Sequence, residues 1–96
     1  MLPSFDGGRE RMMGMLTVYG TMLCKDCVAC RAAFDSAGIS YEYRDFGDDI
    51  VYLKEFLKLR DSEPVFAQVK DNGGIGVPCI VTPEGQVTLD WEQFMM

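Results

Sequence analysis

Leu16-Thr17-Val18-Tyr19-Gly20-Thr21-Met22-Leu23-Cys24-Lys25-Asp26-Cys27-Val28-Ala29-Cys30-Arg31 is the most informative stretch of the chain. Its apolar run, Leu16 to Tyr19, reads as a buried strand. Gly20 breaks that run, and two cysteines three apart then open a segment of helical character. A Cys-x-x-Cys at a strand-to-helix junction inside a βαβ pattern points to thiol–disulfide chemistry. The first cysteine meets unpaired helix N–H groups and the positive end of the helix dipole, which favour thiolate over thiol. The second lies one turn further in, within disulfide reach. Lowering a thiol pKa from about 8.5 to about 7 corresponds to roughly 2 kcal/mol of preference for the thiolate. Helix terminus and Lys25 together are expected to supply much of it.

Outward from this stretch, 15–19 is expected as the first strand, 20–23 as an active-site loop and 25–38 as the first helix. Val28, Ala32 or Ala33, and Phe34 are its inward residues, and Gly38 its stop. Ser40 to Phe46 alternates strictly and predicts a second strand with Tyr41 and Tyr43 on one face. Asp48 or Gly47 is expected to cap a second helix over 50–60, whose inward stripe is Ile50, Leu53, Phe56 or Leu57, and Arg60. Ser62 and Pro64 read as the cap and first turn of a further short helix. Residues 78–82 and 86–89 read as strands joined by a Thr82-Pro83-Glu84-Gly85 turn. One or two turns of helix are expected after Asp90, with Trp91 anchoring the terminus.

The order is therefore β-α-β-α-(α)-β-β. A helical crossover makes the first two strands parallel, and a tight turn makes the last two antiparallel. The expectation is an α/β protein with a four-stranded mixed sheet. Residues 1–14, rich in glycine and without a sustained period, read as a mobile arm, and 15–96 as one domain.

Composition narrows the function. The 96 residues suffice for one domain, and 48% hydrophobic with 25% charged content is ordinary for a soluble globular protein. No apolar run approaches the ~20 residues of a membrane helix, and the N-terminus lacks a signal-peptide core, so no membrane association and a cytoplasmic location are expected. Nine basic against fifteen acidic residues, a net charge of −6, argue against nucleic acid. The absence of histidine removes imidazole base catalysis and imidazole-ligated zinc. Four cysteines in such a chain favour catalysis or metal binding over a structural framework.

Three features then coincide: the Tyr19-to-Cys27 segment, Gly76-Val77-Pro78 about fifty residues later, and a hairpin near the end of the chain. Together they resemble the glutaredoxin family of the thioredoxin-like fold over roughly residues 15–94. The resemblance implies a cis proline at Pro78 facing the disulfide, and a Val77 whose backbone groups meet an extended glutathione or peptide substrate. It also implies an enzyme in which Cys24 is the nucleophile and Cys27 the resolving thiol. Glutathione is then the co-substrate and no cofactor is bound. The partners are a protein disulfide or glutathione mixed disulfide and a cellular reductant. Thr21 stands where the family often carries a basic residue, leaving Lys25 to serve in its place. Leu89-Asp90-Trp91-Glu92 stands where the family holds the γ-glutamyl end of glutathione with Gly-Gly-x-Asp.

Two cysteines stay open between readings. Cys30 is either a small core residue, an accessory redox thiol, or a zinc or iron–sulfur ligand with Cys24, Cys27 and Cys79. Cys79 is either core or a thiol near the active pair. A Cys-rich metal protein and a non-catalytic thioredoxin-fold adaptor are the alternative functions.

Overall fold

A computed structural model describes residues 15–95; the arm expected over 1–14 lies outside them. Strand β1 (Leu16–Gly20) is followed by helix α1 (Lys25–Ala37), β2 (Tyr41–Asp45) and helix α2 (Ile50–Ser62). A 3-10 turn (Pro64–Phe66) leads into the short helix α3 (Ala67–Asp71), then β3 (Cys79–Val81), β4 (Val87–Thr88) and a last 3-10 turn (Trp91–Phe94). The sheet order is β2-β1-β3-β4. Strand β1 runs parallel to β2, with Leu16 opposite Tyr41 and Gly20 opposite Asp45. It runs antiparallel to β3, with Tyr19 opposite Cys79, and β3 pairs antiparallel with β4. The protein is thus α/β with a four-stranded mixed sheet, as the spacing of its elements predicts.

Strand β1 is central because both of its faces are apolar, and alternation sends its side chains to two cores. Leu16 and Val18 meet Cys30 and Phe34 of α1 and Ile80 of β3 on one face. Tyr19 meets Phe56 of α2, Phe66 and Cys79 on the other. Trp91 and Phe94 pack edge-on against Phe34, each ring centroid 6.2 Å away, so the C-terminal turn seals the first core. On the second, Arg44 donates to Glu55 (2.7 Å) and to the Tyr19 hydroxyl (3.0 Å), joining β2, α2 and β1.

Several local expectations are corrected. Helix α1 buries Phe34 as expected, and of the two alanines Ala33 is half-buried and Ala32 exposed, but it also buries Cys27 and Cys30 while Val28 is 40% exposed. The spacing of three and four is right, but the phase is set by what fits against β1 and β3. Small cysteines lie under the sheet and the β-branched valine faces out. In α2 the cap is Asp49, whose Oδ1 accepts from the Val51 N–H at 2.9 Å, in place of Asp48 or Gly47. Phe56 is the buried residue there, while Ile50 at the helix start is 58% exposed and Leu57 is exposed. The helix also runs on through Ser62, whose hydroxyl donates back to the Lys58 carbonyl, so Ser62 caps nothing downstream. It stops at Glu63 (φ −89°, ψ 129°) because the residue before a proline is held in extended conformation.

Candidate active site

The site is built where β1 ends. The Gly20 carbonyl accepts from the Phe46 N–H at 2.9 Å, which keeps β1 and β2 together to the end of the ladder. Thr21 then turns the chain. Its carbonyl accepts from the Cys24 N–H (3.1 Å) and its Oγ1 from the Leu23 N–H (3.3 Å). Asp45 braces the loop from the neighbouring strand end, accepting from the Met22 N–H through Oδ2 (3.3 Å). Cys24 is consequently the N-cap of α1, extended in backbone, its carbonyl accepting from the Val28 N–H at 3.1 Å.

One turn on, Cys27 is fully buried, and the two cysteines approach to 3.4 Å. Cys24 is half-buried, and the preceding Leu23 is 95% exposed. The pair thus has one half-buried and one fully buried cysteine. Burial is the largest influence on Cys27 and pushes its thiol upward; a hydrogen bond from the Thr21 backbone opposes this, and neighbouring Cys24 adds to it. Lys25 and Asp26 are both exposed in the first helical turn.

Gly20 has a steric role at this point. A β-carbon there would stand 2.7 Å from the Cys27 sulfur and 3.0 Å from the Tyr43 hydroxyl. Only a hydrogen leaves room for both.

The other two residues singled out by the resemblance, Val77 and Pro78, lie just before β3. Extending the β1–β3 register by one pair from Tyr19 and Cys79 sets Pro78 opposite Gly20. Pro78 is buried, its bond to Val77 is cis, and Val77 lies outside the ladder, half-buried against the second core. The approach to this ledge is fixed from behind. Arg60 donates through Nε to the Ile75 carbonyl (2.9 Å) and through Nη2 to that of Gly74 (2.7 Å). Gly76, at φ 99°, passes so close to Phe66 that a β-carbon would fall 2.7 Å from the ring.

Of the eight residues singled out from the sequence, Thr21, Cys24, Lys25 and Cys27 share the loop and helix start, and Val77 and Pro78 lie ahead of β3, with Pro78 in register with Gly20 at the end of β1. Cys30 and Cys79 are not part of that surface. Both are fully buried, Cys30 in the first core and Cys79 in the second, on opposite faces of the sheet. Burial pushes each thiol up to about 12, helped at Cys79 by Glu63 and at Cys30 by Cys27. The four sulfurs therefore do not converge on one centre, and among the described residues no group of three or more Cys, Asp or Glu side chains is placed to hold a metal ion. A groove of about 480 Å³ between α3 and β4, lined by Val69, Asn72, Thr88 and Leu89 among others, includes none of the cysteines.

Sequence reasoning missed Gly20 as a spacer, Asp45 as a brace, Arg60 as a clamp and Tyr43 as a neighbour of Cys27. The alternation at Tyr41 and Tyr43 marks a core face. Nothing in it tells that one of the two hydroxyls ends beside a thiol.

Comparison with known proteins sets the chain in a lineage. It is 36% identical over 67 residues to an uncharacterized protein of Haemophilus influenzae (strain ATCC 51907 / DSM 11121 / KW20 / Rd), a match covering 70% of this chain and 78% of the relative. The chain belongs to the same family as that protein. No family model matches it, and no solved structure does. Among the described residues no helix is long and apolar enough to cross a membrane.

Proposed function

We propose that the protein is a glutaredoxin-like thiol–disulfide oxidoreductase of thioredoxin-like fold, working through the Cys24–Cys27 dithiol. The single observation that carries this reading is the asymmetry of the pair. A half-buried Cys24 at the N-cap of a helix lies within 3.4 Å of a fully buried Cys27. That is the arrangement needed for one sulfur to meet a substrate while the other waits for the intermediate. The sheet order and its parallel β1–α1–β2 unit support the fold assignment.

In the reaction, the Cys24 thiolate attacks a disulfide R–S–S–R′ and forms Cys24–S–S–R, and R′–S⁻ leaves and takes up a proton. Cys27 then attacks the Cys24 sulfur. The Cys24–Cys27 disulfide forms, R–S⁻ leaves, and the proton given up by Cys27 is balanced by the one R–S⁻ acquires. Two electrons have passed from the dithiol to the substrate. A thiol reductant of the glutathione class restores the dithiol by the reverse exchange. Thr21 and Lys25 on one side and the Val77–Pro78 ledge on the other border the path of an extended substrate. A reducing, cytoplasmic compartment is the setting in which such a dithiol is recharged.

The test is glutathione-dependent reduction of a small mixed disulfide by wild type, Cys24→Ser and Cys27→Ser. Turnover abolished by Cys24→Ser and partly retained by Cys27→Ser is expected. Full turnover in Cys24→Ser would overturn the proposal.

A further inference from the structure

The Tyr43 hydroxyl is the one buried side-chain oxygen or nitrogen among the described residues that has no hydrogen-bond partner. Its place is specific. It and the Cys27 sulfur both lie within 3.0 Å of the same point, the position a β-carbon on Gly20 would take. The ring is held from α1, where the Arg31 guanidinium sits over it at 4.6 Å from the centroid while also donating to the Met22 sulfur. A buried hydroxyl left without a partner ordinarily costs about 1–3 kcal/mol, so its placement beside a thiol points to use.

We propose that Tyr43 is a positioning residue for the closing step, its O–H donating a hydrogen bond to the Cys27 thiolate as that sulfur attacks the mixed disulfide on Cys24. The proposal rests on the reading of Cys24 and Cys27 given above and deepens it. Burial, and next the neighbouring Cys27, push the Tyr43 phenol upward, so it keeps its proton at neutral pH and acts as a donor. The thiol form of Cys27 is a poor acceptor, whereas the thiolate is a good one. The bond therefore strengthens as charge appears on Cys27, which opposes the desolvation that otherwise suppresses ionisation there. The other groups that bear on the pair are few. The Thr21 backbone and Cys24 face Cys27 from the loop, Cys30 lies one turn on along α1, and Asp45 and Arg31 flank Tyr43.

Tyr43→Phe keeps the ring and removes only an unpartnered hydroxyl, so the variant is expected to fold with no loss of stability. Two measurements decide the matter. In the Cys24→Ser background, the thiolate absorbance of Cys27 is titrated with and without Tyr43→Phe. With Cys24 present, formation of the intramolecular disulfide from a Cys24 mixed disulfide is followed across pH. The expected result is a Cys27 titration displaced upward by about one unit and closure slowed about tenfold at neutral pH. The deficit shrinks as pH rises and Cys27 ionises without help. Alkylation of Cys24 is the internal reference for the first attack. Coincident Cys27 titrations with and without the Tyr43→Phe substitution overturn the proposal, as do coincident closure rates at every pH. A wild type that forms no Cys24–Cys27 disulfide defeats the oxidoreductase reading instead, and the Cys27 titration still decides whether the hydrogen bond exists. Tyr43 ring resonances that stay fixed in the otherwise wild-type chain while Cys27 titrates would likewise overturn it.

Discussion

The Cys27 sulfur fills the space in which a side chain on Gly20 would stand, 2.7 Å from the position of its β-carbon. The first strand is thus shaped around the buried thiol. Gly20→Ala forces Cys27 or the strand end to shift, and overpacking of this kind costs about 1–3 kcal/mol. Urea unfolding should show that loss, and closure of the Cys24–Cys27 disulfide should slow because the second sulfur is displaced. A Gly20→Ala protein of wild-type stability and closure rate would contradict this account of the site.

Exposure divides the thiols. Cys24 is half-buried, and Cys27, Cys30 and Cys79 are fully buried. A brief pulse of a neutral alkylating reagent on the native reduced protein should label Cys24 first, and denatured protein should take up four equivalents. Peptide mass spectrometry gives the positions. Cys30 or Cys79 labelled as fast as Cys24 would mean that the cores are open.

The buried thiols also predict an alkaline limit to stability. Cys30 and Cys79 are pushed up to about 12, against about 8.5 for a free cysteine. Between those values the unfolded chain has lost protons that the folded chain still binds, so stability falls as pH rises. The stabilisation is fully present below about pH 8.5 and is lost progressively as pH rises toward about 12. Denaturant midpoints measured upward from neutral pH at constant ionic strength should fall across that window. Cys30→Ala with Cys79→Ala should flatten the decline.

Gly76 is the tightest point on the route to Pro78. Its φ of 99° disfavours any side chain, and a β-carbon would press on the Phe66 ring at 2.7 Å. Gly76→Ala should destabilise by about 2 kcal/mol or more, combining backbone strain with overpacking. In a Phe66→Leu background the steric part is relieved, so the same substitution should cost less there. A double-mutant cycle on thermal unfolding reads the difference, and strict additivity would show that Phe66 is not the obstacle.

Phe34 joins α1 to the C-terminal turn, in edge contact with Tyr41, Trp91 and Phe94. Phe34→Ala should cost about 3–5 kcal/mol, much of the stability of a small domain. Trp91, the sole tryptophan, reports on it directly. Its emission should move to longer wavelength in the native variant and its unfolding midpoint should fall. An unchanged spectrum would show that Trp91 does not depend on Phe34 for its burial.

The sequence by itself determined the order of elements, the polarity of the strands and the placement of Cys24 and Cys27 at the turn after β1. These follow from interactions within a few residues: an apolar run, a glycine break, a strict alternation, a four-residue turn. The tertiary structure alone decided which face of α1 is inward, so that Cys27 and Cys30 are buried and Val28 is not. It also sent Cys30 and Cys79 to opposite faces of the sheet, and it brought Tyr43 beside Cys27 at the point where Gly20 has no side chain. Each of those outcomes depends on helix phase and strand register against a common sheet. Side chains compete there for one volume, and no spacing along the chain records which of them occupies it.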